Sequence, residues 1–144
     1  MKVLSLWEPW ASLVIFGVKR IETRSWATEY RGPLVIHASK KVSREQIEIC
    51  HRDPFRSALR ACGIDRWQDF KLGAAIGTVT LVDCRRIESD ADVPSDDDPE
   101  YWFGNYAPGR FGWILKRPEV FATAIALRGR QGLFDVAPEE IGMR

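Results

Sequence analysis

The sequence predicts an α+β fold, a small mixed β-barrel of about six strands with two or three flanking helices. Short β-rich segments separated by turn residues run along the chain, and the helix signals are concentrated in its first half. No glycine-rich phosphate loop follows any predicted strand, which argues against a doubly wound sheet. The chain has 144 residues, about the length of one domain, so we expect residues 1–144 to form a single domain.

The N-terminal segment predicts a strand, a helix, a polar strand and a buried strand in succession. Residues 2–6 are the opening strand, and Pro9 begins a two-turn helix, because proline is favoured at the first helical position. Gly17 ends this helix. Over residues 20–26 the pattern changes to a period of two, as in a strand with one charged face. The apolar run at 34–38 predicts a buried strand.

Two more helices and a long strand are predicted in the middle of the chain. Ser43 and Gln46 have the spacing of a capping box, which predicts a helix that begins there. The Asp-Pro pair that follows interrupts this helix, and a second helix is predicted over 54–62. Residues 74–87 are the longest β-rich run, and Gly77 within it predicts a bend or bulge of the kind that curves a barrel.

The second half of the chain contains an acidic segment and the remaining strands. Residues 89–100 are poor in apolar side chains and include two prolines. We expect this acidic segment to be an exposed, mobile insertion, since it offers little apolar surface to bury. Further strands are predicted at 111–115, around 120–127 and at 131–136. The first of these three is expected to end at the Arg117-Pro118 pair.

Composition and cysteine usage exclude several classes of protein. Hydrophobic residues make up 45% and charged residues 28%, and no apolar run approaches the roughly 18 residues of a membrane helix. The N-terminus has no signal-peptide pattern, so we expect a cytoplasmic protein with no membrane partner. The three cysteines show no CxxC spacing and only two histidines are present, so we expect no metal and no cofactor.

Charge is unevenly distributed along the chain, although the net charge is only +1. Residues 1–60 contain eleven Lys and Arg against six Asp and Glu, whereas residues 83–100 contain two against eight. One part of the surface is therefore expected to be basic and another acidic. A local basic patch favours nucleic-acid binding, but both regions would also be explained as ordinary solvated faces.

The strongest candidate site is formed by Lys19, Glu22 and Arg24. Glu22 and Arg24 share a strand face about 7 Å apart, at roughly 3.3 Å per residue, and the stem of Lys19 can fold over that face. Two cations that flank a carboxylate suit a phosphate, with Glu22 either orienting the lysine or accepting a hydrogen bond from a base edge. A surface salt-bridge ladder of little energetic weight would produce the same pattern.

Two further groups of residues are candidates for ligand contacts. Trp7 and Trp26 bracket the charged strand and suit base stacking, although tryptophans at these positions are also typical of a core. His37, Ser39 and Lys40 end the buried strand, which is a favourable position for site residues. A lone histidine there is also common as a hydrogen-bonded structural residue. No Ser/His/Asp or Cys/His arrangement supports nucleophilic catalysis.

The run LSLWEPWASLVIFGVKRIETRSW, followed by RGPLVIHASK, resembles the activating signal cointegrator homology (ASCH) domain, a relative of the PUA domain. The hallmark GxKxxExR is present in full as Gly17, Lys19, Glu22 and Arg24. GAAIGTVTLVDC and FGWIL resemble later strands of the family, so the resemblance extends to about Val136. It implies a PUA-like barrel with a cleft between the N-terminal helix and the barrel, lined by the motif side chains. It also implies RNA, single-stranded nucleic acid, or a nucleoside or nucleotide as the ligand.

The same resemblance leaves an enzymatic alternative open, because some relatives are ribonucleases or amidohydrolases of acetylated cytidine. In such an enzyme Lys19 and Glu22 would be the catalytic residues. Lys19 matches the lysine of the amidohydrolases, but Glu22 occupies the position of their threonine, and Thr23 is expected on the opposite strand face. This departure argues against the amidohydrolase. A protein-interaction module is the third class of function. We expect a stand-alone domain that binds RNA or a nucleotide-like ligand.

Overall fold

The structure, a computed structural model, describes residues 1–142 and contains six β-strands and four α-helices. The strands are β1 (Lys2–Leu6), β2 (Ile21–Arg24), β3 (Gly32–Ala38), β4 (Ala74–Arg86), β5 (Phe111–Ala126) and β6 (Leu133–Asp135). The helices are α1 (Trp10–Ile15), α2 (Arg44–Cys50), α3 (Phe55–Ala61) and α4 (Pro99–Phe103). Short 3₁₀ turns occupy Trp67–Asp69, Asp90–Asp92 and Pro138–Ile141.

The six strands form one curled sheet in the order β2-β5-β4-β3-β1-β6. β1 and β3 are parallel, and the other neighbouring strands are antiparallel. The predicted α+β fold with a small mixed barrel is therefore confirmed, in the form of a half-barrel with β2 and β6 at its edges. Because β2 pairs with β5 alone, its other edge presents backbone groups that another part of the chain has to satisfy.

The helices begin and end at the signals that the sequence carries. The Ser43 hydroxyl accepts a hydrogen bond from the backbone N–H of Gln46, and the Gln46 side chain accepts one from the backbone N–H of Ser43. This capping box begins α2, as predicted. The structure has one helix more than the two or three expected, namely α4. Within residues 1–142, no helix is both long and apolar enough to cross a membrane.

The sheet curves where β4 and β5 lose register. Register shifts occur at three places along this pair, one of them between Ala75 and Gly77. A Cβ atom at Gly77 would collide with the carbonyl oxygen of Glu119, so only glycine allows the two backbones to approach this closely. The predicted bend at Gly77 is therefore present, and it lets the sheet curl around the helix α1.

The prediction that a strand ends at Arg117-Pro118 is wrong, because β5 continues through both residues as a single strand. Thr80 pairs with Lys116 and Thr78 pairs with Glu119, so two residues of β5 bulge out opposite one residue of β4. Pro118 lies in this bulge and does not need to donate to the strand ladder. Arg117 has a positive φ of 52°, the left-handed region that few non-glycine residues adopt.

The core has three parts, and α1 lies between two of them. One face of α1 packs on the sheet through Val14 and Ile15, and the opposite face packs through Leu13 on α3 and α4. A third cluster joins β1, β3 and β6 on the outer side of the sheet. The helix is therefore sandwiched, which fixes the position of the residues that follow it.

The acidic segment is exposed over most of its length, but the expected loop is wrong at its C-terminal end. Asp98 caps α4 by accepting a hydrogen bond from the backbone N–H of Glu100, and Pro99 occupies the first turn. Glu100 is only 1% exposed, and Phe103 is buried in the α3 cluster. The acidic segment is poor in apolar residues, but its C-terminal end is nevertheless anchored in the core.

Candidate functional site

The start of β2 is positioned by the end of α1. Gly17 has a positive φ of 78°, which glycine adopts without steric cost, and the next two backbone N–H groups both donate to the carbonyl of Leu13, at 3.0 and 2.9 Å. A Cβ atom at Gly17 would lie 3.0 Å from the ring of Pro118, so this turn also packs against the β5 bulge. The chain therefore passes from a fixed helix directly into Lys19 and β2.

Lys19 is buried, although sequence alone suggests a surface residue. Its side chain is 0% exposed, its ammonium donates to the carbonyl of Ile21, and Nζ lies 3.6 Å from Oε1 of Glu22. Burial lowers the pKa of Lys19 below its ordinary value, and the carboxylates of Glu22 and Glu100 oppose this shift. An ammonium in this position stabilises the turn into β2 and does not reach solvent.

Glu22 bridges the buried lysine to a partly exposed arginine. Its Oε2 atom lies 3.3 Å from Nη1 of Arg24, and the Arg24 side chain is 24% exposed. The guanidinium of Arg24 is 5.5 Å from the ring centre of Trp26, which packs edge-on against Trp113 at 4.8 Å. Lys19, Glu22 and Arg24 therefore lie together, but a surface salt-bridge ladder is excluded because two of the three are buried.

The guanidinium of Arg24 is incompletely hydrogen-bonded. Its Nε atom is buried and has no hydrogen-bond partner within residues 1–142. An unpaired buried donor is energetically costly, so Arg24 is not fully satisfied by the contacts around it.

Glu100 is the residue of this region that the sequence analysis missed. Its two carboxylate oxygens accept hydrogen bonds from the backbone N–H groups of Arg20, at 3.0 and 3.1 Å, and of Ile21, at 3.0 Å. The acidic segment thus satisfies two backbone N–H groups at the start of β2, across about 80 residues of sequence. Asp98 and Pro99 form a helix-start signal, and the apolar Phe103 follows one turn later. This pattern could have indicated that Glu100 belongs to packed structure.

The segment after α4 packs beside β2. The hydroxyl of Thr23 accepts a hydrogen bond from the backbone N–H of Asn105 at 2.9 Å, whereas Glu22 contacts Lys19 and Arg24. The Tyr106 hydroxyl is buried and without a partner within residues 1–142. Burial, and the carboxylates of Glu100 and Asp98, raise the pKa of Tyr106, so this phenol is a neutral donor.

A cavity of about 220 Å³ opens between α1 and the sheet, and we call it the α1–sheet cavity. It is lined by Val14, Gly17, Lys19, Arg20, Val79, Leu115, Lys116, Arg117 and Pro118. Val14, Val79 and Leu115 are buried and form an apolar floor, whereas Lys116 and Arg117 are exposed. Arg20 contacts Asp98 at 3.8 Å and Glu100 at 3.7 Å, so its charge is shared with the acidic segment.

The remaining predicted site residues do not join this cluster. His37 is 2% exposed, and its ring contacts the Ser5 hydroxyl at 2.9 Å and the Leu127 carbonyl at 2.6 Å. Burial lowers the pKa of His37, so it is a neutral structural residue.

Ser39 and Lys40 follow β3, which two strands separate from β2 in the sheet order. Trp7 follows β1, the parallel partner of β3, and is 64% exposed. These three residues therefore lie at a different strand end from the motif. Trp26 is half-buried against the sheet core, next to Arg24.

The fold and the motif define a small PUA-like half-barrel domain. The sequence profile of the ASCH domain matches residues 4–114. Activating signal cointegrator 1 from Homo sapiens and from Mus musculus are each 31% identical to the chain over 130 residues, which is 88% of this chain and 20% of theirs. The chain belongs to the ASCH domain family. It spans about one fifth of the length of these relatives.

Solved structures with a similar fold come from the same family. ASCH from Zymomonas mobilis superposes with a TM-score of 0.55, covering 96% of this chain and 89% of that one, and a point mutant of it superposes with 0.57. Sequence identity is 15% in both cases, so this likeness concerns the fold alone.

Proposed function

We propose that the protein binds single-stranded RNA or a nucleotide-like ligand in the α1–sheet cavity. The observation that carries this proposal is an apolar floor beside the exposed cations Lys116 and Arg117. A base can place its planar face on the floor while its phosphate contacts the cations. The volume of about 220 Å³ is below the roughly 300–1,000 Å³ of sites for drug-sized ligands, so it suits one base. Membership of the ASCH family, which is generally associated with RNA, supports the same ligand class.

In this proposal the motif residues have different roles. Lys19 and Glu22 are positioning residues: Lys19 adjoins the cavity, but its ammonium is buried against the Ile21 carbonyl and Glu22 and so is not free to contact a phosphate. Arg24 supplies donors to the ligand, since its guanidinium is partly exposed and incompletely hydrogen-bonded. A strand that crosses from the cavity to Arg24 would place a second base near Trp26.

The affinity for a short single-stranded RNA should fall about 20-fold between about 50 and 200 mM salt. Three contacting cations (Arg24, Lys116 and Arg117) give a slope of about −2 in log affinity against log salt, because each releases counterions from the strand. Fluorescence anisotropy across this range measures the slope. A flat affinity would contradict phosphate contacts and favour an uncharged nucleoside as the ligand.

A matched pair of lysine variants locates the contacts. Lys116→Ala should weaken binding and reduce the salt slope by about 0.7, whereas Lys40→Ala should leave both unchanged. Both lysines are exposed, but Lys40 lies at the end of β3 and outside the cavity. If Lys40→Ala weakens binding and Lys116→Ala does not, the ligand binds at the other strand end.

Substitutions of Arg117 should change stability and RNA binding in different ways. Its left-handed backbone costs an arginine or alanine about 1 kcal/mol relative to glycine, so Arg117→Gly should be about 1 kcal/mol more stable than Arg117→Ala. Both variants should bind RNA more weakly, because both lack the guanidinium. Urea unfolding and anisotropy on the two proteins test this. Equal stabilities would contradict backbone strain, and unchanged affinities would remove Arg117 from the site.

The second candidate function is a small hydrolase, a ribonuclease or a nucleoside amidohydrolase, in which Lys19 and Glu22 act on the substrate. The observation that favours it is the lowered pKa of Lys19, which a base or nucleophile requires. Against it, the Lys19 side chain has no exposed surface, so a substrate reaches it only if the turn into β2 moves. Chromatography of an acylated nucleoside and of an RNA after incubation tests this function. Product formed by the wild type and abolished by Glu22→Gln would support the hydrolase.

A further inference from the structure

A second cavity lies among α2, α3 and the 3₁₀ turn at 67–69, on elements that the proposed RNA site does not use. We call it the α2–α3 pocket. Its volume is about 110 Å³, somewhat smaller than the roughly 150 Å³ that admits a benzene ring. Its floor is apolar, with Leu59, Ile64 and Phe70 buried and Trp67 half-buried beside them. The pocket therefore suits the edge of a planar ring.

The rim of this pocket is strongly cationic. Arg56, Arg60 and Arg66 line it, and within residues 1–142 none of them makes an ion pair. Arg56 and Arg60 lie one turn apart on α3, a spacing at which like charges destabilise a helix. Asp65 lines the rim and the Asp53 carboxylate acts on Arg56 and Arg60, so three guanidinium groups face two carboxylates, and an anion would relieve the repulsion that remains.

We propose that the α2–α3 pocket is a second ligand site, for a phosphate monoester that carries a planar ring, such as a nucleoside 5′-monophosphate or the 5′-phosphorylated end of a strand. The edge of the ring enters the apolar pocket beside Trp67, and the phosphate binds the three guanidinium groups. A phosphate monoester carries a charge of about −1.5 to −2 at pH 7 and presents three acceptor oxygens to the guanidinium groups.

The experiment uses Cys50, which lines the pocket, as a reporter of occupancy. A small alkylating reagent is applied with and without adenosine monophosphate, and modification of each cysteine is followed by peptide mass spectrometry. At about ten times the dissociation constant, the nucleotide should slow modification of Cys50 about tenfold. Cys62 and Cys84 do not line the pocket, so their rates should not change. Failure of every phosphate monoester to protect Cys50 would overturn the proposal.

Two comparisons identify the chemistry that is recognised. Adenosine and inorganic phosphate, given separately, should protect far less than the monophosphate, and equal protection by adenosine would contradict the phosphate contacts. A short 5′-phosphorylated RNA and the free nucleotide distinguish the two sources of the same chemistry. Protection by either supports the site, and their relative strength assigns its source.

Arginine variants supply matched controls. Arg56→Ala and Arg60→Ala should each weaken protection by roughly tenfold, whereas Arg52→Ala, exposed and outside the pocket, should have no effect. Unchanged protection in both pocket variants would overturn the proposal. Lys116→Ala should leave the protection of Cys50 unchanged, because Lys116 does not line the α2–α3 pocket. A failure of this proposal can therefore be told apart from a failure of the RNA proposal.

Discussion

Replacing Lys19 by methionine should lower the free energy of unfolding by about 3 kcal/mol. Methionine keeps nearly the same volume but leaves the Ile21 carbonyl unpaired and Glu22 with only Arg24. Loss of one partner from a buried ion pair typically costs about 3–5 kcal/mol, and the remaining Arg24 contact places this case at the lower end. Urea denaturation measures the change. Methionine is preferable to arginine here because a longer side chain does not fit a fully buried site.

The control for this change is Lys40→Met, which removes an exposed lysine that forms no ion pair with the part of the chain described by the structure, and it should cost less than about 0.5 kcal/mol. Combining Lys19→Met with Glu22→Gln should cost at least about 1 kcal/mol less than the sum of the single changes, because both act on one contact. If Lys19→Met is as stable as the wild type, the cost of burying the Lys19 ammonium is as large as the stabilisation from its ion pair with Glu22.

Glu100→Ala should be about as damaging, with a loss of about 3 kcal/mol. It removes the acceptor of the backbone N–H groups of Arg20 and Ile21, and each bond to a charged group contributes about 1.5–3 kcal/mol. Asp97→Ala is the matched control, since Asp97 is exposed in the same acidic segment and should change stability little. An equal, small effect of both substitutions would show that the acidic segment is not anchored on β2.

Glu100→Gln separates geometry from charge. It keeps one oxygen acceptor, so it should cost less than Glu100→Ala, but it removes a carboxylate that raises the pKa of Lys19. The pKa of Lys19 should therefore fall further in Glu100→Gln, as followed by NMR of its side chain. An unchanged pKa would contradict the electrostatic contact between the acidic segment and the motif.

Local signals made much of the fold predictable. Ser43 with Gln46 places a helix start, Gly17 places a helix end, and period-two alternation puts Glu22 beside Arg24. These features depend on neighbours within a few residues, so they are visible in the sequence. They also explain why the residues of the motif are brought together as expected.

The errors come from contacts between distant parts of the chain. Lys19 is buried near Glu100 of α4, about 80 residues later, and a charge pattern gives no sign of such a neighbour. Pro118 lies inside β5 because a bulge removes the need for its N–H, and the bulge depends on pairing with β4. His37 lies near the end of β3 and Lys40 follows it, but only the sheet order shows that this strand end is far from β2.

The most direct test of the RNA site is an NMR titration of the labelled protein with a short, unphosphorylated single-stranded RNA. The proposal predicts that the largest changes in backbone amide shifts occur at the lining of the α1–sheet cavity, at Gly17, Arg20, Lys116 and Arg117, with smaller changes at Arg24. The dependence of these shift changes on RNA concentration gives the dissociation constant. Shifts confined to Trp7, Ser39 and Lys40, or no shifts at any RNA concentration, would contradict the account.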